Sequence, residues 1–256
     1  MRLLPVLILL AGCGEDPVLK GQVVDIWGQP VEGATVMIVG QANARILTDN
    51  SGLYAMARLP GNHEFKAGRE GYIQQHAQFS VEGTNEQSGP TFQLYKKPSD
   101  VGFYVVGAAD YEQLGAQTVH SLGNELKSFT GLKSAGDAGA EGTSVRVIYH
   151  NDLKMDELMR LGLELHKLEH VAEGAFPSPL GSETNADVNL WVSAGEVPID
   201  IAPTASKTDY LITSKEPLAA GTYAFHTQDL LTPKDLEAFA QLPDKLRVAF
   251  PFTVRQ

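Results

Sequence analysis

Short runs of alternating apolar and polar residues make up most of the chain after residue 20. In "ATVMIV", every second residue from Ala34 to Val39 would face the same side of the backbone. Such alternation indicates half-buried strands, because successive side chains of a strand point to opposite faces. Turn signals separate the runs, at Gly28-Gln29-Pro30, Asp49-Asn50-Ser51-Gly52 and Pro60-Gly61. Residues 20–97 are therefore predicted to form a set of short strands joined by tight turns.

The C-terminal part carries the same alternation over six further runs, which are "GFYVVGA", "TSVRVIYH", "ADVNLWVSAG", "DYLITSK", "GTYAFHTQ" and "LRVAFPFTVR". One short helix is predicted near 232–242, where Thr232 would cap, Pro233 would occupy the first helical position and Asp235 the first turn. The segment "EPLAAGTYAFH" resembles a late strand of bacterial Ig-like domains. With the charged segment "KKPSD" as a linker, residues 101–256 are predicted to form an Ig-like β-sandwich domain.

Two periodicities compete over residues 153–173. A helix would align the leucines at 158, 161, 165 and 168 on one face, whereas a strand would point Met159, Leu161, Leu163 and Leu165 inward. The helix leaves Met159 and Leu163 outside its apolar face, and it places Gly162 in its interior at a cost of ~1 kcal/mol. We therefore favour the strand, preceded by a hairpin around 152–156.

This choice decides how the sequence "HKLEH" is interpreted. His166, Glu169 and His170 spell H-x-x-E-H, which resembles the zinc signature of inverted-motif metallopeptidases. That chemistry needs both histidines one helical turn apart, with the glutamate beside them. A strand instead separates the histidines by about 13 Å and turns the glutamate to the other face. The peptidases also use a downstream glutamate as third ligand, where residues 240–250 offer only Asp244. We expect histidines on a solvated sheet face, and a zinc-dependent hydrolase is the least favoured hypothesis.

Other patterns of catalytic or cofactor chemistry are absent from the sequence. It contains no G-x-S-x-G, P-loop or dinucleotide fingerprint, and the remaining histidines follow no ligand-like spacing. They are His63, His76, His120, His150 and His226. We therefore predict no catalytic, cofactor-binding or metal-binding residue. Carboxylates that converge from distant strands stay an open possibility, because a sequence does not show such pairs.

The chain begins with "MRLLPVLILLAGC", which has the layout of a secretory signal. Arg2 supplies a positive start, and the apolar run that follows is far shorter than the ~20 residues of a spanning helix. The end of this segment resembles the bacterial lipobox, in which the cysteine receives lipid. Cys13 is the only cysteine, so no disulfide can form within the chain. We predict a signal peptide over 1–12, lipid attachment at Cys13 and a tether over 13–19; an ordinary secretory signal is the alternative.

Charge and composition exclude some classes of binding partner. The 256 residues carry a net charge of −11, which would repel nucleic acid and anionic lipid headgroups, so no nucleic-acid partner is expected. With 43% apolar and 20% charged residues, the chain has material for a core, and disorder is not expected. By resemblance to the lipoprotein sorting rule of enteric bacteria, Gly14 after the cysteine favours the outer membrane.

A set of positions in residues 20–97 identifies a family resemblance. The positions are Gly21, Val23, Asp25, Gly28, Pro30, Val31, Gly33, Ala34, Val36, Thr48, Asp49, Gly52, Tyr54, Leu59, Pro60, Gly61, Gly71 and Tyr72. Their spacing resembles the carboxypeptidase regulatory-like domain, which implies a transthyretin-like sandwich of about seven strands. The resemblance also implies kinship with carbohydrate-binding-like folds, although Trp27 and the tyrosines are too scattered to form an aromatic platform.

Together these observations predict an all-β protein of two β-sandwich domains, transthyretin-like over 20–97 and Ig-like over 101–256. We expect a bacterial cell-envelope lipoprotein, anchored to the membrane through Cys13, that acts as a non-catalytic binding or scaffolding module. Its partner would be an envelope protein or a glycan, and no cofactor is expected. A carbohydrate-binding module is the second hypothesis.

Overall fold

The computed structural model describes residues 18–83, 87–124, 126–204, 206 and 208–255. The chain divides into two compact units, with the boundary between Lys96 and Lys97. We call them the N-terminal unit and the C-terminal unit. Nearly all regular structure in both is β-strand, which confirms the predicted all-β class.

The N-terminal unit contains eight strands in the described residues. They are β1 Val18–Asp25, β2 Thr35–Ile38, β3 Arg45–Leu47, β4 Leu53–Ala57, β5 Gly61–Gly68, β6 Tyr72–Ile73, β7 Gln75–Val81 and β8 Gln87–Lys96. One sheet has the strand order β4-β1-β8-β6 and the other has the order β3-β2-β5-β7. Val23 and Phe92 of the first sheet share one core with Val36 and Phe65 of the second. Burial of these apolar residues between the two sheets is the main force that holds the sandwich together.

The residues that carried the family resemblance shape this sandwich. The Tyr54 hydroxyl donates to the buried Pro90 carbonyl at 2.7 Å, and Gly21 leaves room for the tyrosine ring, since a Cβ there would lie 2.3 Å from its hydroxyl. The Asp49 carboxylate accepts from the backbone amides of Ser51 and Leu53, both at 2.9 Å, so this segment is the predicted turn. Gly52 completes it at φ +70°.

A fragment of residues 18–97 is expected to fold by itself, because both sheets and the core between them lie within it. Thermal unfolding followed by circular dichroism should show a β-type spectrum and one cooperative transition. Gly21→Val is the matched variant, because its side chain would displace the Tyr54 ring and should lower the transition markedly. A fragment without a cooperative transition would contradict an autonomous N-terminal unit.

The C-terminal unit contains thirteen strands in the described residues. They are β9 Gly102–Val106, β10 Tyr111–Gln113, β11 Gln117–Thr118, β12 His120–Gly123, β13 Ser128–Leu132, β14 Gly139–Glu141, β15 Arg146–His150, β16 Leu163–Pro177, β17 Glu183–Val197, β18 Ile199–Pro203, β19 Asp209–Ser214, β20 Gly221–Thr227 and β21 Val248–Arg255. Five strands form a sheet in the order β10-β9-β15-β19-β18. The larger sheet has the order β11-β21-β20-β16-β17-β13-β12, and β14 pairs with β21.

The larger sheet buries apolar residues on both of its faces. On one face, Leu165 and Phe225 pack with Phe103 and Ile212 of the five-stranded sheet, which forms the predicted sandwich. On the other face, Leu168 and Ala224 belong to a second, smaller core. Leu230, Leu231 and Phe239 of this core come from the segment between β20 and β21, and its other members are Val119, Leu132 and Ala249. This face, which was predicted to be exposed to solvent, is therefore partly covered.

A helix replaces the hairpin that was predicted around 152–156. Helix α1 spans Met155–Leu161, and the Lys154 amide donates to the Glu157 carboxylate at 2.8 Å in a capping box. Gly162 is the C-cap at φ 59°, in the left-handed region that favours glycine. The strand prediction is wrong for Met159 and Leu161, which are exposed. It is confirmed from Leu163 onward. The helical alternative placed Gly162 in the interior of a longer helix, whereas Gly162 ends α1.

The predicted helix near 232–242 is present but shorter. Helix α2 spans Leu236–Gln241, and Asp235 is its N-cap, since its carboxylate accepts from the Ala238 amide at 2.9 Å. Thr232 and Pro233 precede the helix and do not cap it. A single 3-10 turn, Asp244–Leu246, follows. Neither α-helix of the described residues has the length and apolar content to cross a membrane.

Candidate functional site

The H-x-x-E-H residues lie on β16 and do not converge. His166 pairs with Ala224 of β20 and Glu196 of β17, whereas His170 pairs with Trp191 and is exposed. Its ring contacts the Trp191 ring with 5.3 Å between centroids. Along a strand the two histidines are about 13 Å apart, and Glu169 points to the other face. The geometry of a peptidase zinc site is therefore not formed by these three residues.

The expectation of solvated histidines is wrong for His166, which is 5% exposed. It lies on the face of the larger sheet that carries the second core. Ser193 of β17 and His226 of β20 flank it, with the Ser193 hydroxyl 2.7 Å from its Nδ1. The same face carries the second core, to which the segment after β20 contributes Leu230, Leu231 and Phe239, and strand alternation alone did not predict this core.

Strand pairing brings a different set of residues together. Glu164 of β16 pairs with His226 of β20, and His166 follows two residues after Glu164 on the same face. The potential ligand atoms of these three side chains all lie within 4.8 Å of one another. The His166 and His226 rings meet edge to face, with 4.5 Å between centroids and 73° between planes. We call Glu164, His166 and His226 the His–Glu cluster.

In the sequence, His226 has no ligand-like spacing to another histidine. The partner residues lie about sixty positions earlier, so no local motif connects them. The only information in the sequence about the surroundings of His226 is the alternation in "GTYAFHTQ". It predicts that His226 and Phe225 point to opposite faces of the sheet. Only the register of β20 against β16 shows which residues it meets.

His226 is buried in its neutral form. Burial lowers its pKa to about 4, assisted by the neighbouring His166 and opposed by a hydrogen bond to the Thr227 carbonyl. That bond is 2.7 Å long and joins the carbonyl to Nδ1, so Nδ1 carries the proton of the neutral ring. Nε2 then has a lone pair, and this atom is buried without a hydrogen-bond partner in the described part of the chain. The lone pair of His226 Nε2 can therefore accept a hydrogen bond or coordinate a metal ion.

His166 is also shifted toward its neutral form. Burial lowers its pKa, against the opposing effect of the carboxylates of Glu164 and Glu196. Its Nε2 lies 3.4 Å from the Glu164 carboxylate, and the Gly195 amide donates to the Ser193 hydroxyl at 3.2 Å. A hydroxyl can donate or accept, so Ser193 is compatible with either tautomer of His166. Two neutral imidazoles and a carboxylate are a donor set that can hold a metal ion.

A second buried histidine–carboxylate pair joins two strands of the five-stranded sheet. His150 Nδ1 lies 2.7 Å from the Asp209 carboxylate, whose side chain is fully buried. Such a pair resembles the base and orienting acid of hydrolases, which need a nucleophile at the other ring nitrogen. No hydrogen bond joins a hydroxyl to His150 Nε2 within the described residues. The pair is therefore a buried ion pair or hydrogen bond between β15 and β19.

A groove of about 560 Å³ opens beside α2 in the C-terminal unit. Three exposed leucines line it, Leu161, Leu242 and Leu246, with Leu230 and Phe239 buried at its base. Its charged residues are of both signs, and include Arg160, Asp229, Lys234 and Asp235. Clustered exposed apolar residues with a polar rim are typical of an interaction surface. We call it the leucine groove.

A second groove, of about 510 Å³, lies on the N-terminal unit and is polar. Arg45, Lys66 and Arg69 line it together with Glu70 and Tyr72. Three cations against one carboxylate make it basic in a protein whose net charge is −11. Trp27 does not line this groove, and the Lys96 ammonium lies 5.4 Å from the centroid of its ring.

The predicted lipid-attachment residue, Cys13, lies outside the described residues. No structural observation therefore bears on the anchor.

Comparison with known proteins supports the N-terminal unit. Residues 18–95 match the family model of the carboxypeptidase regulatory-like domain, which confirms the resemblance seen in the sequence. No curated protein matches the chain. Among solved structures, a proposed carbohydrate-binding protein from Bacteroides uniformis aligns over 83% of this chain and 88% of its own, at 11% identity and a TM-score of 0.25. A TM-score of this size supports no inference about function.

Proposed function

We propose that this chain, whose residues 18–95 form a carboxypeptidase regulatory-like domain, is a lipid-anchored envelope protein that binds a partner without catalysis. The N-terminal unit shapes its turns and core with the family's residues, and in the sequence it lies between Cys13 and the C-terminal unit. The C-terminal unit carries the binding surface. Cys13 would attach the protein to the outer membrane.

The leucine groove is the observation that carries this proposal. Leucines are normally buried, and three of them converge here at 44%, 38% and 54% exposure, for Leu161, Leu242 and Leu246. Covering this area would remove apolar surface from water at roughly 25 cal/mol per Å². The mixed charges at the rim would set the orientation of the partner more than its affinity. An apolar segment of another envelope protein is the occupant that this surface fits.

Site-specific photocrosslinking in intact cells tests this function. A photoreactive residue at position 242 is expected to give a defined adduct with one envelope protein, and Leu161→Glu should abolish that adduct. The matched control is the same residue at position 180, because Leu180 is 95% exposed and lies outside the groove. Equal adducts at 180 and 242, or none at 242, would contradict the groove as a binding surface.

A glycan-binding role is the second candidate, and the basic groove of the N-terminal unit favours it. Arg45, Lys66 and Arg69 would pair with acidic groups of a sugar polymer, while Tyr72 offers one half-buried aromatic ring. A glycan array separates the two candidates. Binding of acidic glycans that is lost in Lys66→Glu, together with no adduct at position 242, would favour the glycan role over the protein partner.

A further inference from the structure

We propose that Glu164, His166 and His226 form a binding site for a divalent transition-metal ion such as zinc. The inference goes beyond the proposed binding function and replaces the sequence-based expectation that no residue binds metal. It rests on the donor set, on a buried nitrogen without a partner, and on the groups that orient the two rings.

The donor set fits zinc. Structural and catalytic zinc ions are held by imidazole nitrogens and carboxylate oxygens at about 2.0–2.2 Å, in tetrahedral geometry. Ligand atoms around such an ion lie ~3.4 Å from one another. One potential ligand atom of each of the three residues lies within 4.8 Å of the others. The Glu164 carboxylate is 3.4 Å from His166 Nε2 and 3.9 Å from His226 Nδ1, so side-chain rotation has to bring His226 Nε2 to an ion that these groups share. Two of the residues are on β16 and one is on β20, so an ion would join these adjacent strands.

The buried nitrogen of His226 needs a partner. An unsatisfied polar atom in the interior costs about 1–3 kcal/mol. The side chain of His226 is 0% exposed, so bulk water does not reach its Nε2. A metal ion that coordinates this nitrogen would remove the penalty. The hydrogen bond that the His226 ring does make, from Nδ1 to the Thr227 carbonyl, does not satisfy Nε2.

Both rings are oriented in the way that metal-binding histidines usually are. A ligating imidazole donates its other N–H to a carbonyl, a carboxylate or a hydroxyl, which fixes its tautomer. His226 Nδ1 meets the Thr227 carbonyl, and His166 Nδ1 meets the Ser193 hydroxyl, each at 2.7 Å. The Ser193 hydroxyl would accept a hydrogen bond from His166 Nδ1–H when Nε2 binds metal, and it would donate to Nδ1 when Nε2–H donates to Glu164.

Charge and burial define the role of the ion. The Glu164 carboxylate is part of the cluster, and Glu196 lies opposite His166 on β17, so a cation enters a region of negative potential. The two histidine side chains are 6% and 0% exposed, while Glu164 is 21% exposed. An ion in this enclosed site would join β16 to β20. The three side chains leave the fourth tetrahedral position to a water molecule.

Zinc titration of the purified full chain, after treatment with a chelator, tests the site. Calorimetry should give one zinc per chain, and added zinc should raise the melting temperature by mass action. Glu164→Gln and His226→Phe should each weaken zinc binding by at least about 100-fold, given that even outer-shell partners of a metal contribute 10–100-fold. Glu164→Gln preserves side-chain volume, whereas His226→Phe keeps a planar ring of somewhat larger size, so circular dichroism would check that both variants fold.

The matched control is His170→Ala, on the same strand but exposed and outside the cluster. It should bind zinc as the unchanged protein does. The proposal is overturned if the protein binds no zinc, or if Glu164→Gln and His226→Phe leave binding unchanged. The proposal is also overturned if zinc binding is lost in His170→Ala and retained in the cluster variants. The H-x-x-E-H residues would then be the zinc ligands.

Discussion

Cys13→Ala is expected to move the protein completely from the membrane fraction to the soluble fraction of the envelope. The reason is that the lipid on Cys13 is the attachment we predict, and neither α-helix of the described residues has the length to cross a membrane. Each buried methylene of an acyl chain contributes ~0.8 kcal/mol, so two chains would contribute more than about 20 kcal/mol. The apolar run from Leu3 to Leu10 is too short to replace this anchor, because a spanning helix needs ~20 residues.

Partition between detergent-rich and aqueous phases measures this effect directly. The unchanged protein should enter the detergent phase and incorporate a labelled fatty acid, while Cys13→Ala should do neither. Gly14→Ala is the matched control, since it changes the next residue and leaves the thiol in place. A Cys13→Ala protein that still partitions into detergent would contradict lipid attachment at Cys13. An ordinary secretory signal would then explain the N-terminus.

Phe225→Ala is expected to destabilise the C-terminal unit by about 3–5 kcal/mol, a large part of the total stability of a typical domain. Phe225 is 1% exposed at the centre of the sandwich. Its ring stacks on Phe103, with 5.1 Å between centroids, and on Phe252, with 5.7 Å. An alanine would remove these contacts and leave a cavity that the rigid sheets cannot close.

Urea denaturation followed by tryptophan fluorescence separates the two units, because Trp27 belongs to the N-terminal unit and Trp191 to the C-terminal unit. Phe225→Ala should lower only the midpoint reported by Trp191. Phe65→Ala, which removes a ring that is 0% exposed in the N-terminal unit, should lower only the midpoint reported by Trp27. A shift of both midpoints by either variant would contradict separate cores.

The sequence predicts most of the N-terminal unit because its determinants are local. Asp49 and Gly52 lie within one turn, and the chemistry of that turn depends only on their neighbours. Tyr54 and Gly21 are partners across two paired strands, and the family resemblance already contains both positions. Where turns and alternation agree at every step, the pattern determines the fold.

The C-terminal unit shows where such reasoning stops. Met159 and Leu161 continue the alternation of β16 by coincidence, and the deciding feature is the left-handed backbone of Gly162, which ends α1. The alternation places His166 on the sheet face opposite to Leu165, a face that was predicted to be exposed to solvent. A second core lies on that face. Both errors arise because alternation reports which residues share a face and gives no information about what packs on it.

The His–Glu cluster was beyond local reasoning for a related reason. The sequence suggested a zinc site that uses His166 and His170, which are close in sequence. A β-strand keeps these two side chains apart. The chemistry that the structure brings together lies between Glu164 and His226, which are joined only by the register of two strands. Spacing along the chain identifies ligand sets on helices, whereas in sheets the pairing of strands decides them.

Anomalous X-ray diffraction at the zinc edge, from crystals of the full chain grown with zinc, distinguishes these two sets of residues most directly. One peak is expected about 2.0–2.2 Å from side-chain atoms of Glu164, His166 and His226, with His170 outside the coordination shell. A peak bonded to both His166 and His170, or density with no zinc peak at the His–Glu cluster, would contradict the assignment.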